Sequence, residues 1–442
     1  MNEVLLASNQ SLNENALQLE ITQSHPKFFT ATVKVLSPLI DALYQETSRM
    51  QQRHLHTHGF ARGTTPLQYI ETTYRNHLTE HLKEFLYHYF IKGFLYQELR
   101  AKKVIFAGEP KIISVTMEPG KDAHFIFEFT VPDLLALRGW KYYSFRSPKR
   151  KNYRDLDRQV EYFLKAEEEI AQKNSTQKIQ VNDWICLEIC VVGKDHHPLL
   201  PITHQNFWLK IGNEEVDVPY QELLCGKKVG DQFFSQDDCL QEFFSKRLDT
   251  QYSFSIVIKD IIPYAVFSVD EFKTKFRLRT NKEMHKKMIE VFSFRNDLSQ
   301  RRETVEEVFK LLLTQHPLEA PGHLVLRHLS KLMLSIQENP DYQVYRTQQN
   351  FEKNVQLLAE KQVKETILID QLAVKENISL SHQDIKQYLN LLKRPRIKEF
   401  IYFELPFTKT NGQETPLHEE ELKRYCLREK TLNYVIYHLT RK

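Results

Sequence analysis

The hydrophobic period changes repeatedly along the chain, and this constrains the fold more than any single motif. Residues 16–36 alternate: Leu17, Leu19 and Ile21, then Ala31, Val33 and Val35, predict a β-hairpin turning around Ser24–Lys27. The period then becomes helical. Leu39, Ile40, Leu43 and Thr47 share a face, with Ser37 placed as N-cap and Pro38 as the first helical residue. A second, long helix is predicted from Leu67 to about Lys103, with Thr65 as its cap, Pro66 at its first position and Gln68 in capping-box register. Strands return over 104–133, with turns at Gly108–Pro110 and Pro119–Gly120. The first part therefore reads β-β-α-loop-α-β-β, to about residue 147.

A basic, Pro-containing junction (Ser144–Asp155), a charged helix over 155–173 and a short linker ending at Lys178 come next. Residues 179–264 are β-rich, with a short helix and a Gly-punctuated turn in "PYQELLCGKKVGDQF". From Ser268 the period is helical almost to the end. Ser268 with Glu271, and Ser381 with Asp384, read as capping boxes. Leu329, Leu332, Met333 and Ile336 fall at i, i+3, i+4, i+7. Breaks are expected at Pro317–Gly322, Asn339–Pro340, Asn377–Ser381 and Pro395. The expected organisation is α+β and multidomain: an α/β part over 1–147, a linker helix over 148–178, a β-rich part over 179–264 and an all-α part with helical arms over 265–442.

A chain of 442 residues, 41% of them hydrophobic, can bury sizeable cores. The net charge of +4 implies no global polycation, so any nucleic-acid contact has to come from a local basic patch. Five cysteines, an odd and sparse set, argue against a disulfide scaffold and for a reducing compartment. The N-terminus lacks the basic and apolar blocks of a secretory signal, and no window is apolar for the 18 or so residues a membrane helix needs. A cytoplasmic location without membrane insertion is expected. There is no G-x-G and no phosphate-binding G-x-x-x-x-G-K-[ST] run. Cys186 and Cys190 alternate with Ile185, Leu187, Ile189 and Val191. That is a strand pattern, and residues four apart on a strand stand about 13 Å apart, too far to share a zinc ion. His54, His56 and His58 could face one way on an extended chain, but no Cys, Asp or Glu nearby completes a ligand set. His196–His197 reads as a polar turn. No catalytic triad, metal or cofactor is called for.

One stretch stands out. In "HGFARGTTP", Gly59 and Gly63 bracket Phe60, Ala61 and Arg62, and Pro66 follows, in a chain with only 12 glycines. Two glycines permit left-handed turns. Phe60 then sits either at a tip, free to bury on a partner, or tucked into its own core. Arg62 can fork onto a carboxylate or a phosphate.

This run resembles the G-F-R-x-G-x-x-P ribosome-binding signature of bacterial trigger factor, with Ala61 in place of the first Arg. Helix, signature, long helix, Gly108–Pro110 and the Phe127–Pro132 strand are similar to that family's N-terminal domain. The middle part resembles its FK506-binding-protein-like isomerase domain, and the stretch from Ala359 is similar to its helical arm region. The resemblance implies an ATP-independent, cytosolic chaperone that docks at the ribosomal exit, on protein and RNA, and holds nascent and unfolded polypeptides. Gly59, Phe60, Arg62, Gly63 and Pro66 would make the contact. It also implies a homodimer when free of the ribosome. By strand order, the family's proline-pocket aromatics fall at Phe207, Tyr220, Phe243 and Phe254. Two more are replaced, by Ile189 and by the Pro198–Leu199 region, which implies a peptidyl-prolyl isomerase of weakened activity. Each remaining aromatic can equally be ordinary core. The competing readings are a fully active isomerase, an exported chaperone with isomerase modules, and a helical adaptor whose loop binds nothing.

Overall fold

The computed structural model describes residues 17–146, 178–193, 196–199, 205–245, 252–264, 273, 277–392, 401–405 and 408–440. Most of the junction, the charged helix over 155–173, the Ser268–Glu271 cap and Pro395 lie outside the described residues.

Strands β1 (Leu17–His25) and β2 (Phe28–Val35) form the expected hairpin. With β3 (Ala107–Thr116) and β4 (Ala123–Thr130) they make an antiparallel sheet in the order β1-β2-β4-β3. Ala31, Val33 and Val35 of β2 and Phe125, Phe127 and Phe129 of β4 alternate into the core, as a period of two requires. They share that core with helices α1 (Ser37–His54), α2 (Leu67–Thr73), α3 (Arg75–Leu86) and α4 (Lys92–Ala101).

Local details differ from the sequence expectation. Ser37 is the first residue of α1 rather than its cap; its N–H is donated to Asp122 across the domain, 2.8 Å away. Thr65 does not cap α2, because its hydroxyl is donated to Thr57 inside the loop (3.1 Å); Pro66 is the N-cap residue and no side chain caps the helix. The long helix is broken at Tyr74 and again by a π turn at Tyr87–Ile91. Gly108 is not in a turn but in a bulge near the start of β3, where the register shifts between Ala107 and Lys111. Its φ is +70°, and a Cβ there would stand 2.7 Å from Leu324, so glycine serves a close approach to the C-terminal helices. His54 closes helix α1, so the three histidines do not lie together on one extended segment.

The second sheet is built from β5 (Trp184–Val192), β6 (Gln205–Lys210), β7 (Gln232–Ser235) and β8 (Ser253–Ile262), with helices α5 (Val218–Leu224) and α6 (Asp238–Phe244) packed beside it. The helical C-terminal region contains α7 (Asn281–Gln315), α8 (Gly322–Gln337), α9 (Tyr342–Arg346), α10 (Phe351–Lys375), α11 (His382–Leu392) and α12 (Glu419–Thr440). Its internal breaks fall at Pro317–Gly322, Asn339–Pro340 and Asn377–Ser381 as expected, and one further break, over 347–350 between α9 and α10, was not expected. It also carries a two-residue hairpin, β9 (Lys409–Thr410) with β10 (Gln413–Glu414), and a short strand β11 (Leu417–His418), which the purely helical expectation did not contain. Strand β11 pairs with β6, giving the order β11-β6-β5-β8-β7.

This sheet is the middle layer of the molecule. Ile185, Leu187, Ile189 and Val191 of β5 join the core shared with α3 and α4. Trp184 and Cys186 face Ile385, Tyr388 and Leu389 of α11 and Leu422 and Cys426 of α12. A strand covered on both faces reads as a nearly continuous apolar run, which is what "WICLEICVV" is. Leu137 and Trp140, beyond β4, pack with α7, α10 and α12 in a third cluster. Inside the C-terminal region Arg428 holds Asp370 through two hydrogen bonds of 2.8 and 2.7 Å.

Candidate functional site

The Gly59–Pro66 loop links α1 to α2 and is held at its base. Thr65 bonds Thr57, and Gln52 Nε2 donates to the Thr65 carbonyl at 2.6 Å. At its far side the Thr64 N–H and hydroxyl both reach the Ala61 carbonyl (3.0 and 2.8 Å). Gly59 and Gly63 have φ of +89° and +81°, with open space where a Cβ would stand, so conformation alone requires glycine there. The result is a stiff loop that presents Phe60. That ring is 39% exposed and meets Tyr69, itself 40% exposed, at 5.7 Å between centroids. Phe60 is thus not tucked into the core. Ala61, Arg62, Gly63 and Pro66 are exposed around it.

The four aromatics of the middle part are not brought together on one open surface. Phe207 and Phe254 have no exposed area. Phe254 lies under Phe244 (5.4 Å) and near Tyr252 (6.4 Å). Tyr220 is almost fully buried, its hydroxyl donated to the Cys239 carbonyl at 3.2 Å. Phe243 is half-buried. Only Tyr220 and Phe243 line a cleft of about 610 Å³, whose other walls include Glu84, His88 and Lys92 of the N-terminal part and Pro416 and His418 of the C-terminal part. Ile189 is fully buried. Pro198 bridges Val192, so the Pro198–Leu199 region closes back on β5.

The covering groups were not anticipated from the sequence. Phe85 stacks on Tyr252 at 4.6 Å, and Tyr89 meets Phe244 edge-on at 5.3 Å. The Tyr89 hydroxyl donates to the Ile189 carbonyl (3.0 Å) and accepts from the Val191 N–H (3.1 Å). Tyr252 shares hydrogen bonds with Thr47 (2.8 Å) and His81 (2.9 Å). Burial pushes the His81 imidazole down to about 4, so it packs neutral. The π turn carrying Tyr89 is a local irregularity of the kind that marks specialised sites. One signal was legible: Gly93 in "YFIKGFLYQ", a glycine inside a helix between bulky residues, flags a close approach.

Among the described residues no group of His, Cys, Asp and Glu could hold a metal ion, and no helix is long and apolar enough to cross a membrane. In the C-terminal arms, Leu326 (62%), Leu334 (58%), Val344 (62%) and Leu357 (54%) project into solvent, while Leu329, Leu332, Met333 and Ile336 of α8 are half-buried or nearly so.

Comparison with known proteins gives two family matches. A family described as bacterial trigger factor protein (TF) matches residues 17–162, and one described as bacterial trigger factor protein (TF) C-terminus matches residues 268–395. The trigger factor of Glaesserella parasuis serovar 5 (strain SH0165) is 23% identical over 318 residues, 68% of this chain and 69% of that one. The trigger factor of Aquifex aeolicus (strain VF5) is 22% identical over 422 residues, 91% of this chain and 84% of that one. A solved structure described as "Promiscuous Substrate Recognition in Folding and Assembly Activities of the Trigger Factor Chaperone" is 12% identical and aligns with 96% of this chain and 100% of its own, at a TM-score of 0.35.

Proposed function

Because the chain belongs to the trigger factor family of chaperones, we propose that it binds ribosomes near the nascent-chain exit and holds newly made polypeptides without ATP, in the cytoplasm. The observation that carries this reading is the presented loop. Phe60 is kept on the surface by two left-handed glycines and a threonine clasp, at the cost of leaving an aromatic ring in water. Arg62 beside it supplies a planar cation for a carboxylate or an RNA phosphate. Gly59, Gly63 and Pro66 shape the loop. The exposed leucines and valines of α8, α9 and α10 offer clients many weak apolar contacts, with Met333 adding an adaptable side chain. Residues 1–147, 179–264 and 265–442 act as docking, middle and holding parts in this reading, and the free protein forms homodimers.

Prolyl isomerisation by the middle part is a secondary, weak activity in the same reading. A pocket of this kind works by surrounding the twisted amide with dry aromatic walls. Here Tyr220 and Phe243 reach the cleft, while Phe207 and Phe254 are covered.

The test is co-sedimentation. Replacing Phe60, Arg62 and Gly63 together by Ala removes two contacts and the loop geometry, and each lost anchor weakens binding by about 2 kcal/mol or more. The variant is expected to stay in the supernatant while suppressing aggregation of an unfolded client as well as the wild type. Pelleting at wild-type affinity would sink the docking assignment.

A further inference from the structure

Strand β11 is only two residues long, yet its seat is elaborate. Leu417 pairs with Trp208 and His418 with Phe207, on the free edge of β6. The His418 imidazole lies 4.4 Å from the Phe207 ring, donates from Nε2 to the His88 carbonyl at 2.8 Å, and is 5% exposed. It fits because residue 93 is glycine. A Cβ at Gly93 would stand 2.9 Å from His418 Nδ1 and 3.2 Å from Gln205 Oε1. A glycine inside α4 weakens that helix by roughly 1 kcal/mol relative to alanine, so the helix is compromised where the ring is received. Pro416, the preceding buried residue, lines the same cleft as Tyr220 and Phe243. The proline thus stands beside aromatic walls at the start of a segment that pairs with the sheet edge, which is how a prolyl peptide would lie there.

We propose that Pro416–His418 is a built-in, displaceable occupant of the middle part's aromatic site, and that an extended proline-containing segment of a client chain takes its place by adding to the β6 edge. This rests on the reading of Tyr220, Phe243 and Phe207 as a prolyl site. Edge addition supplies affinity from the backbone, and the pocket supplies preference for the side chain. The strand makes the site latent: apparent affinity for a peptide falls by the fraction of molecules in which the edge is open.

Two variants open the edge by opposite routes. Gly93→Val adds atoms where the imidazole sits, and His418→Gly removes the imidazole; neither changes Tyr220, Phe243 or Phe207. The probe is the tetrapeptide Ala-Leu-Pro-Phe, with an N-terminal fluorophore for binding by anisotropy and a C-terminal p-nitroanilide, which chymotrypsin releases only from the trans-prolyl form, for isomerisation; folding is read by circular dichroism. In at least one folded variant, binding is expected to tighten by about tenfold or more over the wild type, with faster hydrogen exchange at the β6 amides. Tighter binding without turnover keeps the occupant and refutes the isomerase reading. Binding at the wild-type level in every variant that folds overturns the occupant, as does equally tight peptide binding by wild type whose β11 stays protected. If both variants unfold, Pro416→Gly serves as the third route, under the same two outcomes.

Discussion

Tyr89 is the sharpest point of contact between the N-terminal part and the middle sheet, and Tyr89→Phe removes a single oxygen. That oxygen satisfies two backbone groups of β5, the Ile189 carbonyl and the Val191 N–H, at 3.0 and 3.1 Å. Tyr89 has no exposed area, so water has no route to replace it without opening the interface. Leaving a buried backbone group unpaired costs about 1–3 kcal/mol, and two groups sharing one lost partner place the total at about 2–4 kcal/mol. The ring itself stays, so the stacking on Phe85 (5.4 Å) and the edge-on contact with Phe244 are retained, and the void is too small to add much. The assay is hydrogen exchange followed by mass spectrometry on peptides covering 184–192. At tenfold per 1.4 kcal/mol, amides of β5 should exchange about 30- to 700-fold faster in the variant. Peptides from the α8–α10 arms should not change. Exchange in β5 within a factor of two of wild type would show that the hydroxyl does not hold the two parts together, and the account of the covered aromatic face would fall with it.

Two further outcomes follow from buried ionisable groups. Glu365 has no exposed area; burial raises its carboxyl to about 7, against the Tyr402 hydroxyl at 2.7 Å and Lys361 at 3.8 Å. A folded-state value above the unfolded one gives stability that is complete below about pH 4.5 and is lost as pH rises through 7. Glu365→Gln should therefore match the wild type near pH 4.5 and exceed it by up to about 3 kcal/mol at pH 8 in urea melts; identical pH profiles would refute this. All five cysteines are free. Burial raises Cys190 to about 11 and Cys239 to about 12, and pushes Cys186 and Cys426 higher still, while half-buried Cys225 is the most accessible. A thiol reagent at pH 8 should label one cysteine quickly in the native protein and five in urea; four fast native thiols, or a disulfide, would contradict the structure.

The sequence by itself determined many of the elements and the loop, though not the two breaks within 67–103 or the strands β9–β11. Period-two alternation set the β1–β2 hairpin, helical period set α1 and α8, and Pro and Asn marked three breaks between the C-terminal helices, because these signals act over a few residues. Gly59 and Gly63 were readable for the same reason: a left-handed φ is a local demand. What tertiary structure decided was which surfaces those elements cover. Whether Phe60 sat at a tip or in a core depended on Thr57 meeting Thr65. The apolar run "WICLEICVV" fits a strand buried on both faces, but it did not say what would cover them: α3 and α4 on one, α11 and α12 on the other. The matching of Phe207 and Phe254 to a pocket followed strand order, which fixes where a side chain stands on a sheet but not what comes to lie over it. Phe85 and Tyr89, more than a hundred residues earlier, and His418, well over a hundred residues later, close the space around Phe207, Phe244 and Tyr252. Covering contacts of that sequence separation leave no periodic trace, since each partner is apolar or aromatic for its own local reasons. Only the meeting of three distant segments decides whether an aromatic face is a site or an interior.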